Sequence, residues 1–440
     1  MARQRTICRA QVFAAGTSGL LGILNPRDND PVGVDMRCVV PLRFLLTALP
    51  VLACLCSFAQ PAPSVAAESD AAHALEQQGD FAGAEATWQT ILRSHPASAE
   101  AFAHIGFLES QQQHYGDAVA YYRKAAAIDP SIPGLKMNLG LALFKGGDMR
   151  EAAHVFLTLY PHVPTGSPDA QRLQLLLGMA YYGGREYAAA VPWLRKAMAS
   201  DPQNLPYRLV LAHACLWSRQ YKCVLEIYHQ ILSLNAESAE ADMLAGEAYD
   251  EMRDHQDAIE QFRNAAKADP NYPGVHFGLG YLLWCQSQFQ EAAQQFQLES
   301  RNSPGDAEAL AYWADSVVRL NQPNAARPLV ERALRLCSGQ EMPWLDLGIL
   351  DAAAGDNETA FHDFQQAARI APSDVQVHWR LARLYQSMGR RAEAHTEFEK
   401  TKTLTRAADK TVMEKLQANL LHQPQGETDR PATGPDKSTE

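Results

Sequence analysis

A spacing of 34 residues constrains this chain more than any other feature. Within Ala239–Pro270 the sequence reads as two short helices. The first carries Leu244, Gly246, Ala248 and Tyr249; the second carries Ala258, Ile259, Phe262, Ala265 and Ala266. Asp269-Pro270 ends the unit, because proline lacks an N–H and pushes the residue before it out of the helical region. Steps of 34 from Pro270 reach Pro304, Ser338 and Pro372 forward, and Ala236 and Pro202 backward; one step of 38 then gives Pro164, and steps of 34 resume to Pro130 and Pro96. The small residue of the second helix recurs in phase from Ala84 and Ala118 to Ala360 and Ala394, and the bulky residue four places later recurs from Trp88 and Tyr122 to Phe364 and Phe398. A glycine or alanine recurs in the first helix, as at Gly106, Gly140, Gly178, Gly246, Gly280 and Gly348. One such hairpin buries too little apolar surface to stand alone, so the pattern predicts a stack in which each unit is buried by its neighbours.

At these positions the chain resembles the tetratricopeptide repeat family, whose units pair a first-helix W-x2-L-G-x2-Y pattern with A-x3-F and a closing proline. Repeat nine matches best, with Trp344, Leu347, Gly348, Ala360, Phe364, Ala367 and Pro372; Asp351 stands where the pattern has tyrosine. The resemblance spans Val65 to Arg406 and implies an all-α, right-handed superhelix of about ten helix-turn-helix repeats. It also implies a non-catalytic protein-protein interaction scaffold. It names no partner.

The repeat phase divides the chain. Residues 1–59 are read as an export signal with an upstream leader, 60–64 as a mobile spacer and 65–164 as repeats one to three. Residues 165–170 form an insertion and 171–406 form repeats four to ten; 407–421 is a capping helix, because Val412, Leu416, Leu420 and Leu421 share one face, and 422–440 is a disordered tail. The insertion is either a tolerated surface loop or a hinge between blocks of three and seven repeats. Arg37 and Arg43 precede an uncharged run, Phe44 to Ala59, that ends in small residues, as a secretory signal does. Its 16 residues are short for a membrane span. Cleavage after Ala59 would give a periplasmic or secreted protein beginning at Gln60; the lipobox-like Val51-Leu-Ala-Cys54 offers a lipid-anchored envelope protein instead. Translation starting at Met36 would account for the odd leader.

Charge and motifs narrow the function classes. Beyond residue 59 there are 33 basic and 47 acidic residues, a balance that disfavours nucleic acid and anionic membranes. No His is followed by Glu, so the H-E-x-x-H zinc-peptidase motif is absent, as are a phosphate-binding loop and a nucleophile elbow. No enzyme activity, cofactor, metal set or small-molecule substrate is expected. His104, His213, His276 and His378 recur in first helices but fall in different repeats. Cys215 and Cys223 flank one inter-helix turn. They can be buried thiols or, in an exported protein, a disulfide; spacing alone does not decide.

In the family the first helices line a concave groove. The groove positions fall one, four, eight and eleven residues after each repeat start. Carried over by phase, they give Phe107 in repeat two and Met137, Leu141 and Phe144 in repeat three. Repeat four contributes Met179 and Tyr182, repeat seven Phe277, Tyr281 and Trp284, and repeat ten Trp379. Such an apolar face is either a site for a partner peptide or protein, or packing between successive first helices. The lysine and asparagine that clamp a terminal carboxylate in some relatives are missing: Ala103 and Phe107, then Met137 and Leu141, stand there. Two other function classes fit the sequence. One is a regulatory or substrate-recruiting subunit for an enzyme on another chain; the other is a solenoid that self-associates. The sequence leaves the oligomeric state open.

Overall fold

The computed structural model describes residues 64–234 and 238–421. The expected export signal, the spacer up to residue 63 and the tail from 422 lie outside the described residues. Twenty α-helices follow one another, with no strand among the described residues. They pair as hairpins: α1 (Val65–Gln78) with α2 (Phe81–Ser94), α3 (Ala99–Gln111) with α4 (Tyr115–Ile128), α5 (Leu135–Gly146) with α6 (Met149–Leu159), α7 (Pro168–Gly183) with α8 (Tyr187–Ser200), and α9 (Leu205–Trp217) with α10 (Tyr221–Ser233). The next five are α11 (Ala239–Glu251) with α12 (His255–Ala268), α13 (Val275–Cys285) with α14 (Phe289–Asn302), α15 (Ala307–Arg319) with α16 (Pro323–Leu336), α17 (Glu341–Ala354) with α18 (Asn357–Ile370), and α19 (Val375–Ser387) with α20 (Arg391–Leu421). This is the all-α repeat architecture that the 34-residue period predicts.

Every turn inside a hairpin is built the same way. One residue adopts a left-handed conformation: Gly79, Gln113, Gly147, Arg185, Arg219, Arg253, Ser287, Asn321, Gly355 and Gly389 in turn. The next N–H reaches back to a carbonyl five residues earlier, as from Asp80 to Leu75, Asp254 to Tyr249 and Asp356 to Asp351. That bond satisfies a carbonyl the helix end would leave orphaned, the Schellman arrangement. The same next residue begins the second helix, and at Asp80, Asp254 and Asp356 its carboxylate also accepts an N–H of the first turn. Two helices are thus locked antiparallel by a link of two or three residues.

Close crossing explains the recurring first-helix glycine. A Cβ on Gly140 would sit 2.5 Å from Phe156, one on Gly246 2.8 Å from Phe262, and one on Gly348 2.6 Å from Phe364. The aromatic ring occupies the space a side chain would need, and Phe156, Phe262 and Phe364 are all buried.

The chain divides into two compact units, at Tyr272 and Pro273. In the first, a cluster around Trp88, Ile91, Ile105 and Leu108 serves the opening repeats. A longer one runs unbroken from Ala103 to Ala248, drawing on Phe156, Leu173, Leu194 and Ile227. In the second unit the core comprises smaller clusters around Val330, Leu310 and Phe364.

Three boundaries differ from the sequence reading. The insertion is shorter than 165–170, because Ser167 caps α7 and Pro168 takes its first position, where a missing N–H costs nothing. The extra residues follow a 3-10 turn, Tyr160–His162, pinned by Gln174 donating to the Tyr160 hydroxyl at 2.9 Å and by Trp193 edge-on to the Tyr160 ring. The core passes this point without a break, so the block boundary falls between repeats six and seven instead. The separate capping helix 407–421 is instead the end of α20, since no Gly or Pro interrupts Arg391–Leu421. Its side chains from Lys402 to Thr411 are exposed except Leu404, so this stretch covers little of the last repeat. Cys215 and Cys223 are joined as a disulfide across the turn from α9 to α10, with Cα atoms 5.9 Å apart.

Candidate functional site

The groove positions named from the sequence split by burial. In the first unit Leu141, Phe144 and Met179 are buried in the continuous core, at 8%, 2% and 6% exposure. They are packing, and a partner does not reach them. Leu141 and Phe144 lie on α5, which touches α3. Phe107, Met137 and Tyr182 remain half-buried on the same helices. Burial holds the Tyr182 phenol well above its ordinary range, with Tyr187 next in effect.

In the second unit the same phase gives a different surface. Phe277, Tyr281 and Trp284 stand in a row along α13, each half-buried, with ring centroids 6.4 Å and 6.3 Å apart in turn. Spacings of four and three put them on one helix face. Tyr312 of α15 wedges edge-on against all three, at 5.8 Å, 5.6 Å and 5.2 Å. Such perpendicular contacts set a ring's positive edge on a neighbour's negative face. Trp379 on α19 is 42% exposed, flanked by the guanidinium groups of Arg380 and Arg383 at 5.2 Å and 5.8 Å from its ring.

An acidic cluster borders these rings. The Trp284 indole N–H donates to Asp315, which also accepts from Arg319 Nε at 2.7 Å, and the Arg319 guanidinium lies 5.2 Å from the Trp284 ring centre. Asp346 of α17 is buried beside Asp315, and neither of its oxygens accepts a hydrogen bond. Burial first, then the Asp315 charge, pushes its carboxyl well above the usual carboxylate range. Glu341, at the start of α17, is pushed up to about 7 by burial, then by Asp374 and Asp315.

The sequence search missed Tyr312, Asp315, Asp346 and Glu341. Asp315 was within reach, since it lies 34 residues after Tyr281 in the same groove phase. A search for apolar residues passes over it. The four histidines are each held by a polar neighbour in their own surroundings: His104 by Glu76 at 3.0 Å, His213 by Glu240 at 2.8 Å, His276 by Gln295 at 2.8 Å and His378 by Glu397 at 2.7 Å.

Family profiles described as Tetratricopeptide repeat match residues 69–133, 107–166, 137–204, 225–273 and 243–307, and a second profile of that description matches 351–420. The chain is a tetratricopeptide repeat protein. Among curated relatives, this repeat protein is 24% identical to "BBSome complex member BBS4" of Bos taurus over 222 residues, covering 50% of this chain and 42% of that one. It is 18% identical to "Anaphase-promoting complex subunit 3" of Schizosaccharomyces pombe over 266 residues, 60% of this chain and 39% of the other. The chain therefore spans less than half the length of these relatives. A crystal structure of YrrB, described as a TPR protein with an unusual peptide-binding site, aligns at 18% identity and a TM-score of 0.34, covering 40% of this chain and 91% of that one. No helix among the described residues is long and apolar enough to cross a membrane.

Proposed function

We propose that this tetratricopeptide repeat protein is an exported, non-catalytic scaffold that holds a basic segment of a partner protein against the first helices of its second unit. The observation that carries the reading is the half-buried row Phe277, Tyr281 and Trp284, braced by Tyr312 and bordered by Asp315, Asp346 and Glu341. Large rings supply contact area at small entropic cost and suit the centre of an interface. Glu341, only partly buried and beside the Asp315 and Asp374 carboxylates, favours a ligand that brings N–H groups and positive charge. A lysine or arginine of the partner would gain the open ring faces of this row and the field of Glu341 and Asp374. The acidic balance of the chain beyond residue 59 points the same way. Two relatives are described as members of multi-protein complexes, which fits a scaffold role.

Capture from an extract of the native cell envelope tests the site, with wild type compared to the double variant Tyr281→Ala, Trp379→Ala. Loss of interfacial anchors costs about 2 kcal/mol or more of binding. Partner retention is expected to fall at least about tenfold while the melting temperature stays within a few degrees. Retention that survives intact, or a collapse of the melting temperature, overturns the assignment. Export is tested separately by N-terminal sequencing of the native protein: a start at Gln60 is expected, and a start at Met1 or a lipid-modified Cys54 refutes simple cleavage.

A further inference from the structure

His73 and Glu76 lie one turn apart on α1, and Glu100 and His104 one turn apart on α3, so the two pairs face each other across the first helices of repeats one and two. Ligand atoms of His73, Glu100 and His104 all fall within 4.8 Å of one another. His73 Nε2 is 3.4 Å from Glu100 Oε1. Two ligands of a tetrahedral zinc ion, with bonds near 2.0–2.1 Å, sit about 3.4 Å apart. Glu76 occupies the other side of both rings: one of its oxygens is 3.0 Å from His104 Nδ1, and the second is 3.7 Å from His73 Nδ1. The Trp88 indole N–H donates to Glu76 at 2.8 Å and fixes it, while the Trp88 ring stacks on His104 at 4.7 Å. A carboxylate on one nitrogen of a histidine orients the ring and leaves the other nitrogen as the metal ligand, the usual second-layer arrangement of zinc sites.

We propose that His73, Glu100 and His104 form a site for a borderline divalent transition-metal ion of the zinc class, with Glu76 as the positioning residue that holds the His104 imidazole by Nδ1 and lies beside that of His73. Two imidazoles and one carboxylate suit zinc better than magnesium or calcium, which take oxygen ligands. His104 is buried, His73 is partly open and the Glu100 side chain is 44% exposed, so the site has a lining and an entrance. Three protein ligands leave a fourth position for water. The metal would tie α1 to α3, the first helices of repeats one and two. This site is independent of the partner-binding face.

Zn2+ titrated into the untagged, chelator-treated full chain, followed by calorimetry, tests it, with Co2+ as a visible-absorption probe of four-coordinate geometry. Wild type is expected to bind one Zn2+ at this site with a dissociation constant in the micromolar range or below, and Zn2+ should raise the melting temperature by linkage. His73→Gln and Glu100→Gln alter the two more accessible ligands, so the fold is expected to stand, as checked by circular dichroism. Each should weaken binding at least about tenfold and remove the thermal shift; Glu76→Gln should weaken it by about tenfold through the ring orientation alone. Absence of Zn2+ heat in wild type at about 100 μM, or unchanged binding in both ligand variants, overturns the proposal.

Discussion

At the scale of single residues, packing here depends on a hydrogen in place of a methyl group. A Cβ on Gly348 would lie 2.6 Å from the Phe364 ring, whereas one on Gly280 would lie 3.1 Å from Phe296. Overpacking a well-filled core costs about 1–3 kcal/mol. Gly348→Ala is therefore expected to lower stability by about that amount in urea unfolding, and Gly280→Ala by clearly less. Equal losses would show that the distance to the ring does not set the cost. The glycine and its ring were readable from phase alone, because both must recur wherever two helices cross this closely. The accessible part of the groove was less readable. Phe144 and Trp379 are both large apolar residues at groove phases, yet one is 2% and the other 42% exposed. What separates them is how much of each ring the surrounding helices cover, which a single helix does not carry.

At the scale of the helix hairpin, the inter-helix turn demands a left-handed residue at a fixed phase, and six of the ten turns meet it without glycine. A residue with a Cβ loses roughly 1–2 kcal/mol in that conformation, partly offset because glycine has more freedom to lose on folding. Arg253→Gly and Ser287→Gly, with φ of 69° and 62°, are thus each expected to raise stability by about 0.5–1 kcal/mol. Gly355→Ala, at φ 85°, is expected to lower it. No gain at either position in denaturant curves would mean that the Arg253 or Ser287 side chain contributes contacts of similar worth. Helix content, hairpin pairing and the turn positions were all legible, since each follows from local periodicity and punctuation. The end of α20 and the division at Tyr272 were not. The first lacks any breaker residue in 391–421, and the second occurs where the 34-residue phase continues unchanged.

At the scale of the whole molecule, the acidic balance becomes specific through one group. Glu341 titrates at about 7 because burial, Asp374 and Asp315 all oppose its charge. Arg319 and Arg380 lie on the opposing side of the balance, through their attraction to neighbouring Asp346. The sign for folding follows from linkage: the folded state holds this proton more tightly than an unfolded chain, whose glutamate titrates near 4.5. The stability contribution of Glu341 is present below about pH 4.5 and is lost as pH rises through 7. Glu341→Gln keeps the neutral form at every pH, so its unfolding free energy should fall less than wild type's between pH 5 and 8. Partner capture runs the other way. A basic segment prefers the ionised carboxylate, so capture is expected to strengthen as pH rises from 6 to 8, and the Glu341→Gln chain should lack that rise. Binding followed at both pH values by a fixed-salt pull-down or calorimetry, with both chains folded, separates the outcomes. A rise that persists in the variant assigns the titration to another group. A fall with pH means the partner segment is acidic, and the Trp284 and Asp315 edge does not receive it.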